Sequence, residues 1–414
     1  MKEENQNYLH SQLITYIGNK RSLLPFIEEG VNIVKSELKK DKLSTFDGFA
    51  GSGIVARFLK QHSSSVTVND LEKYACLISE CYLSNVDEEL TKKLTDLHKL
   101  VCEEVEKRLN DFLSKNEGNP GFVYELYAPK SEKNIKREER CFYTPRNAAF
   151  IDICRQVINE KVPSDLQHFF IAPLLSEVSI HANTAGIFKG FYKNSKTKTG
   201  QFGGNGSDAL SRILGKIELP YPVFSNFECP FKVFNEDANL VVNNEDLYSL
   251  TEDGSFDLAY FDPPYNQHPY GSNYFMLNLV ASYERPNVEK ISRVSGIPKD
   301  WNRSVFNKKR FAKESFSKLV KDVRAKFLLI SFNSEGFISK DEMIALLEEV
   351  GTVQVLESSY NTFRGSRNLE NRSIHVKEYL FLVKKHIIYN DIFTPTCPIN
   401  LEKPSSFINE PSGK

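Results

Sequence analysis

"STFDGFAGSGIVARFLK", residues 44–60, sets the fold class. Phe46 closes a short strand. Gly48, Gly51 and Gly53 then allow close backbone approach or positive φ, and Ile54, Val55, Phe58 and Leu59 recur at the spacing of a helix face. The pattern repeats at once in "SSVTVNDLEKYACLISECYL" (64–83), where Val66 and Val68 alternate, Asn69 and Asp70 end the strand and a second helix follows. Two successive strand–helix units predict an open α/β sheet, whose ligands lie beyond the carboxyl ends of the strands. Further strands are expected in "FKVFNED" (231–237), "FDLAYFD" (256–262), "KFLLISFN" (326–333) and "KEYLFLVKK" (377–385).

Between about 90 and 230 the alternation stops. "TKKLTDLHKLVCEEVEKRLNDFL" (91–113) reads as a long amphipathic helix ended by the turn chemistry of "NEGNPG" (116–121). "TPRNAAFIDICRQVI" (144–158) reads as another, with Thr144 as N-cap and Pro145 at the first helical position. "NSKTKTGQFGGNGSD" (194–208) is polar, glycine-rich and expected to be flexible. The segment 91–230 is therefore expected as a mostly helical insertion that splits a catalytic domain into 1–90 and 231–396. The Pro/Ser-rich stretch 397–414 is expected to be a poorly ordered tail.

Composition narrows the class. A hydrophobic fraction of 40% and a charged fraction of 26% describe a globular chain, and no apolar run is long enough to cross a membrane. The opening "MKEENQNYLHSQ" is polar, so no secretory leader is expected. Seven scattered cysteines without CxxC spacing are expected to be reduced thiols of a cytoplasmic protein, with no metal site. The formal net charge of −1 hides two basic runs: nine Lys or Arg against two acids in 303–326, and six against one in 181–216. A single such run is ordinarily a solvated face, but two flanking one candidate site point to a polyanion partner.

Two spots carry candidate chemistry. Asp70 lies 17 residues beyond Gly53 at the end of the next strand, where an acid can accept hydrogen bonds from ribose hydroxyls. The full dinucleotide fingerprint is absent, since position 56 is Ala, so a nucleoside cofactor without a pyrophosphate fits better than NAD. The second spot is "DPPY" (262–265), closing an apolar strand. Neither Pro263 nor Pro264 has an N–H, so the ladder must stop and the Pro263 carbonyl is held rigidly. Asp262 and that carbonyl then offer two fixed acceptors beside the ring of Tyr265, a site suited to a planar group bearing an amino substituent.

Taken in order, "YIGNKRSLL" (16–24), "FDGFAGSG" (46–53), "VND" (68–70) and "DPPYN" (262–266) resemble the DNA adenine-specific methyltransferases of the Dam-like alpha group. "CFYTPRNAAFID" (141–152), "NTAGIFKGFYK" (183–193), "ISFNSEGF" (330–337) and "YNTFRGSRNLENRSIHVKEYLFLV" (360–383) resemble its type IIS modification-methylase branch. The resemblance implies a Rossmann-like S-adenosylmethionine-dependent methyltransferase sheet with an inserted target-recognition domain. It implies methyl transfer to N6 of a flipped-out adenine in duplex DNA within a restriction-modification system. Tyr16, Lys20, Phe49, Gly51, Gly53 and Asp70 would hold S-adenosylmethionine, with Asp237 beside its adenine and Asp246 as the alternative. Asp262, Pro263, Pro264 and Tyr265 would form the catalytic motif. By charge and position, Lys189, Lys193, Lys196 and Lys198 are assigned to DNA phosphates. A monomer is expected, and a partner restriction endonuclease belongs to the same reading. The competing readings are an amino methyltransferase acting on cytosine N4, an RNA base or a protein glutamine, and a DNA-binding relative with an inactive core.

Overall fold

The computed structural model describes residues 3–115, 118–204, 206, 209–264, 266–267, 269–333, 336–361 and 375–386. Tyr265 and the expected tail 397–414 lie outside them. Among the described residues seven strands form one sheet: β1 (Leu43–Asp47), β2 (Ser63–Asn69), β3 (Phe231–Phe234), β4 (Phe256–Phe261), β5 (Ala325–Asn333), β6 (Gly351–Asn361) and β7 (His375–Lys385). Their order is β3-β2-β1-β4-β5-β7-β6. The first five are parallel, and β7 runs antiparallel between β5 and β6. All the predicted strands are present. The missed one is β6, an edge strand on which Val353 and Val355 alternate with polar residues and are only partly buried.

β4 shows why its sequence is apolar throughout. Leu258 and Tyr260 pack toward the helix Leu24–Leu38 through Ile27, Val31 and Val34. Phe256, Ala259 and Phe261 face the helices Lys309–Asp322 and Lys340–Glu348 through Phe316, Leu319, Val320, Met343 and Leu347. A strand covered on both faces has no reason to alternate.

The helices Glu88–Lys115, Pro145–Lys161 and His168–Ile180 fill the expected insertion. Thr144 caps the second of these, accepting the Asn147 N–H at 3.2 Å, and Pro145 opens it as expected. Their apolar faces do not close a core of their own. Leu94, Val101, Ile151, Phe170 and Leu174 share one cluster with Tyr74 and Ile78 of the helix Lys73–Leu83, and with Met276 and Val280 of the helix Phe275–Ser282. These helices are thus packed onto the helices Lys73–Leu83 and Phe275–Ser282 in one shared core. In the expected flexible stretch, 193–200 forms a tight antiparallel turn, with Lys193 bridged to Gly200 and the Asn194 carboxamide accepting the N–H groups of Lys196 and Thr197.

At the end of the sheet where β4 begins, buried Asp257 ties three strands and a helix end together. It accepts Lys40 at 2.9 Å, Lys326 at 3.0 Å and the Ser44 N–H at 3.0 Å, and its own N–H donates to Ser44 Oγ. Burial alone would raise its pKa, but Lys40, the Ser44 N–H and Lys326 together hold it below the usual carboxylate value. Its contribution is therefore complete above the unfolded pKa of about 3.9 and is lost as pH falls through the lower folded value. Asp257→Asn is expected to destabilise the fold at pH 7 by about 1–3 kcal/mol, discounted because both lysines are a third exposed. Urea unfolding should show that deficit shrinking below about pH 4; an unchanged midpoint at pH 7 would refute the linkage.

Candidate functional site

The parallel strands deliver their chemistry at one edge. The loops after β1, β2, β3 and β4 converge on a cleft lined by Tyr16, Lys20, Phe49, Gly51, Asp70, Asp237, Asp262 and Pro264 among others.

The β1 loop turns on two glycines. Gly51 has φ +53° and Gly53 +73°, the latter acting as N-cap of the helix Ile54–Lys60. A Cβ on Gly51 would stand 2.8 Å from Cε1 of Tyr16, whereas one on Gly53 would meet Ile78 of the next helix at 3.2 Å. Gly51 therefore shapes the cleft and Gly53 the packing behind it; Gly53 is not among the lining residues. Asp70 clasps this loop from β2, accepting the Gly51 N–H at 2.7 Å and the Glu72 N–H at 2.8 Å. Burial pushes its pKa up to about 6, although those N–H donors oppose the shift.

Asp237 lines the cleft while capping the short helix Ala238–Val241 through the Asn239 N–H at 2.9 Å. Its alternative, Asp246, lies away from it: that side chain is 59% exposed and paired with Lys232. Phe49 stands edge-on to Phe306 at 5.2 Å. Tyr16 stacks on Tyr274 at 4.8 Å and on Tyr270 at 5.0 Å, and those two rings stack on each other at 5.9 Å. Tyr270 OH donates to the Ile17 carbonyl, while Tyr274 OH accepts the Ile17 N–H, so the N-terminal segment is stitched over the cleft.

Asp262 follows the last residue of β4. Lys20, only 3% exposed, places its ammonium 3.2 Å from Asp262 Oδ1 and 2.8 Å from Glu378 Oε1. The approach to Oδ1 lies off the hydrogen-bonding directions, so that contact is an ion pair. Burial raises the Asp262 pKa to about 6; Lys20 lowers it and Glu378 raises it. Pro263 and Pro264 back onto a small apolar hollow of about 230 Å³ with Phe306, Phe316, Phe332 and Ile338.

The sequence reading missed several wall residues. Glu72 is buried, accepts Asn278 and Asn302, and has its pKa pushed up to about 7 by burial. Asn302, Ser304, Phe306 and Asn307 come from the segment after the helix Phe275–Ser282. Glu72 had a local signal, two residues after Asp70 at a strand end. The others have none, because only the returning chain brings them there. With Asp70, Glu72, Glu236, Asp237 and Asp262 against Lys20, the lining is acidic, which suits a cationic ligand and disfavours phosphate.

Lys189, Lys193, Lys196 and Lys198 do not line the cleft and are all exposed, Lys193 lying 4.9 Å over the Phe191 ring. The other basic run, 303–326, is largely neutralised: Lys313 pairs with Glu342, Lys318 with Asp322, Lys321 with Glu349, Arg324 with Glu245, and Lys326 with Asp253 and Asp257.

Known proteins place this arrangement. The profile of the D12 class N6 adenine-specific DNA methyltransferases matches residues 16–203 and 226–346. The type II methyltransferase M.CviAII of Paramecium bursaria Chlorella virus 1 is 31% identical over 378 residues, 89% of this chain and 98% of its own length. M.NlaIII of Neisseria lactamica is 26% identical over 382 residues, covering 90% and 99% of the two chains. M.FokI of Planomicrobium okeanokoites is 26% identical over 413 residues, 96% of this chain and 57% of its own.

The two loop glycines separate by experiment. Gly51→Ala and Gly53→Ala should each destabilise the fold by about 1–2 kcal/mol through the left-handed backbone alone. Only Gly51→Ala drives a methyl group into Tyr16, so calorimetry should show S-adenosylmethionine binding weakened more by Gly51→Ala than by Gly53→Ala. Equal losses would contradict this division.

Proposed function

The chain belongs to the D12 class N6 adenine-specific DNA methyltransferase family, and from that premise we propose how its residues divide the work of methylating adenine in DNA. The reading rests on one observation: the Asp262 carboxylate and the Gly51–Asp70 clasp open into the same cleft.

S-adenosylmethionine supplies the methyl group as an electrophilic carbon on a sulfonium. Asp70 would hold its ribose, Asp237 and Phe49 its adenine, and Tyr16 and Lys20 would cover it from the N-terminal segment. The acidic lining supports a cofactor that carries positive charge and no phosphate. The target adenine leaves the duplex, which costs a few kcal/mol, and Tyr265 would offset part of that by stacking. Asp262 and the Pro263 carbonyl accept the two amino N–H bonds. That turns the nitrogen lone pair out of the ring, where it can attack in line, so positioning and fixed dipoles do most of the work. After transfer the nitrogen carries one proton too many, and Asp262 receives it.

The segment 91–230 would act as the target-recognition domain, with Lys189, Lys193, Lys196 and Lys198 on phosphates. A partner endonuclease recognising the same site, a cytoplasmic setting, a monomeric state and the activity class EC 2.1.1.72 complete the proposal.

Asp262→Ala should abolish single-turnover transfer from labelled S-adenosylmethionine while calorimetry still finds the cofactor bound. Retention of more than about a tenth of the rate, under 1.4 kcal/mol of barrier, would remove Asp262 from the reaction. In the unaltered enzyme the rate should rise with pH through about 6, where the carboxylate ionises, and level off above.

Neutralising Lys193, Lys196 and Lys198 together should weaken target and non-target duplexes by similar factors. It should also flatten the slope of log K against log salt by up to about 0.9 per lost contact. An unchanged slope would make the turn a solvated loop, and a loss confined to target DNA would make it a reader of sequence.

A further inference from the structure

Among the buried ionisable groups that the reaction scheme leaves without a role, Glu378 is bonded to the ammonium that adjoins Asp262. Glu378 has no exposed surface, and it sits on β7 opposite Asn333 of β5 and Ser358 of β6. Its Oε1 accepts Lys20 Nζ at 2.8 Å and Ser331 Oγ at 2.8 Å. Burying a carboxylate completely is unfavourable unless its partners are well placed. Here those partners lead directly to Asp262: the ammonium that Glu378 holds is 3.2 Å from Asp262 Oδ1.

We propose that Glu378 is a positioning residue for methyl transfer, holding the Lys20 ammonium away from full engagement with Asp262 so that this carboxylate keeps acceptor capacity for the adenine amino group. The inference rests on the role of Asp262 given above. Lys20 lies nearer to Glu378 than to Asp262 by 0.4 Å, and toward Glu378 it makes a well-directed hydrogen bond. Lysine carries three rotatable donors on a flexible stem, so without a competing acid nothing stops it from swinging onto Asp262. A carboxylate fully paired with an ammonium is a weaker acceptor for a neutral amine, because its lone pairs and charge are already engaged. Ser331 fixes the competitor: its hydroxyl, on the neighbouring strand β5, donates to the Glu378 carboxylate and orients it.

The groups facing this cluster come from each element packed around it. They are Lys20 before the helix Leu24–Leu38, Asp47 at the end of β1, Asp70 beyond β2, Tyr260 and Asp262 at the end of β4, Ser331 on β5 and Glu378 on β7. Asp47 is itself pushed up to about 8 by burial, with Asp262 and Asp70 adding to the shift, so it is mostly uncharged at neutral pH. That leaves Lys20 and Glu378 as the charges adjoining Asp262, and their influences are opposite.

Glu378→Gln keeps the shape and the acceptor for Ser331 but removes the charge. It is expected to lower the single-turnover rate at least tenfold at pH 7.5, to leave the S-adenosylmethionine dissociation constant within about twofold, and to move the acidic limb of the pH–rate profile to lower pH. Ser331→Ala is the milder variant should Glu378→Gln fold poorly, and it should change rate and profile in the same direction by less. A limb that stays in place in the folded variant, or a rate loss matched by weaker cofactor binding, would overturn the proposal and leave Glu378 a structural acid. The Asp262→Ala result keeps the two readings apart: if that variant remains active, the role of Asp262 fails; if it is inactive while the limb of Glu378→Gln is unmoved, only this inference fails.

Discussion

One buried ammonium holds the site together. Lys20 spans Asp262 and Glu378, residues more than two hundred and more than three hundred positions further along the chain. The N-terminal segment, the end of β4 and the antiparallel β7 meet at that point. Two carboxylates and one ammonium in so dry a place are stabilising only if the geometry is good. The constraint is therefore mutual: the sheet must close in this strand order for the ions to be paired, and the ions favour this order over others that would strand a charge.

From that junction the division of the cleft follows. The parallel strands β1 to β4 all end on the same side, so their loops supply the acidic wall and the glycine turn. The aromatic wall is assembled differently, from Tyr16 near the start of the chain and Tyr270 after Asp262 and its two prolines, with buried Tyr274 stacked behind them. Two prolines separate the walls, ending the β4 ladder where the acceptors must face the cleft. An acidic lining in a DNA-modifying enzyme is not a contradiction. Phosphates are repelled from the acidic cleft, while exposed lysines lie elsewhere on the surface.

Charge counted along the sequence misled in one place. The run 303–326 carries the larger excess of cations, yet five of its nine, Lys313, Lys318, Lys321, Arg324 and Lys326, are paired with acids in the fold. The smaller run, 181–216, contributes the unburied lysines of a tight turn. Linear charge density does not distinguish the two, because acids distant in sequence decide what remains uncompensated.

By itself the sequence determined the class of fold, the order of its motifs, six of the seven strands and the acids at the strand ends, since each of these is written in short-range periodicity or in neighbouring residues. Asp70 beside Gly51, and Asp262 before two prolines, are such cases. Tertiary structure set Asp237 in the cleft and Asp246 outside it, because the turn after β3 brings the first to the lining and leaves the second paired to Lys232. It alone joined the helices of 91–230 to the helices Lys73–Leu83 and Phe275–Ser282, because apolar faces at helical spacing do not say what they face. It alone placed Glu378 against Lys20, because an acid within a strand reads as a solvent-facing residue until the strand is inserted, reversed, between two others and its side chain has nowhere to go but inward.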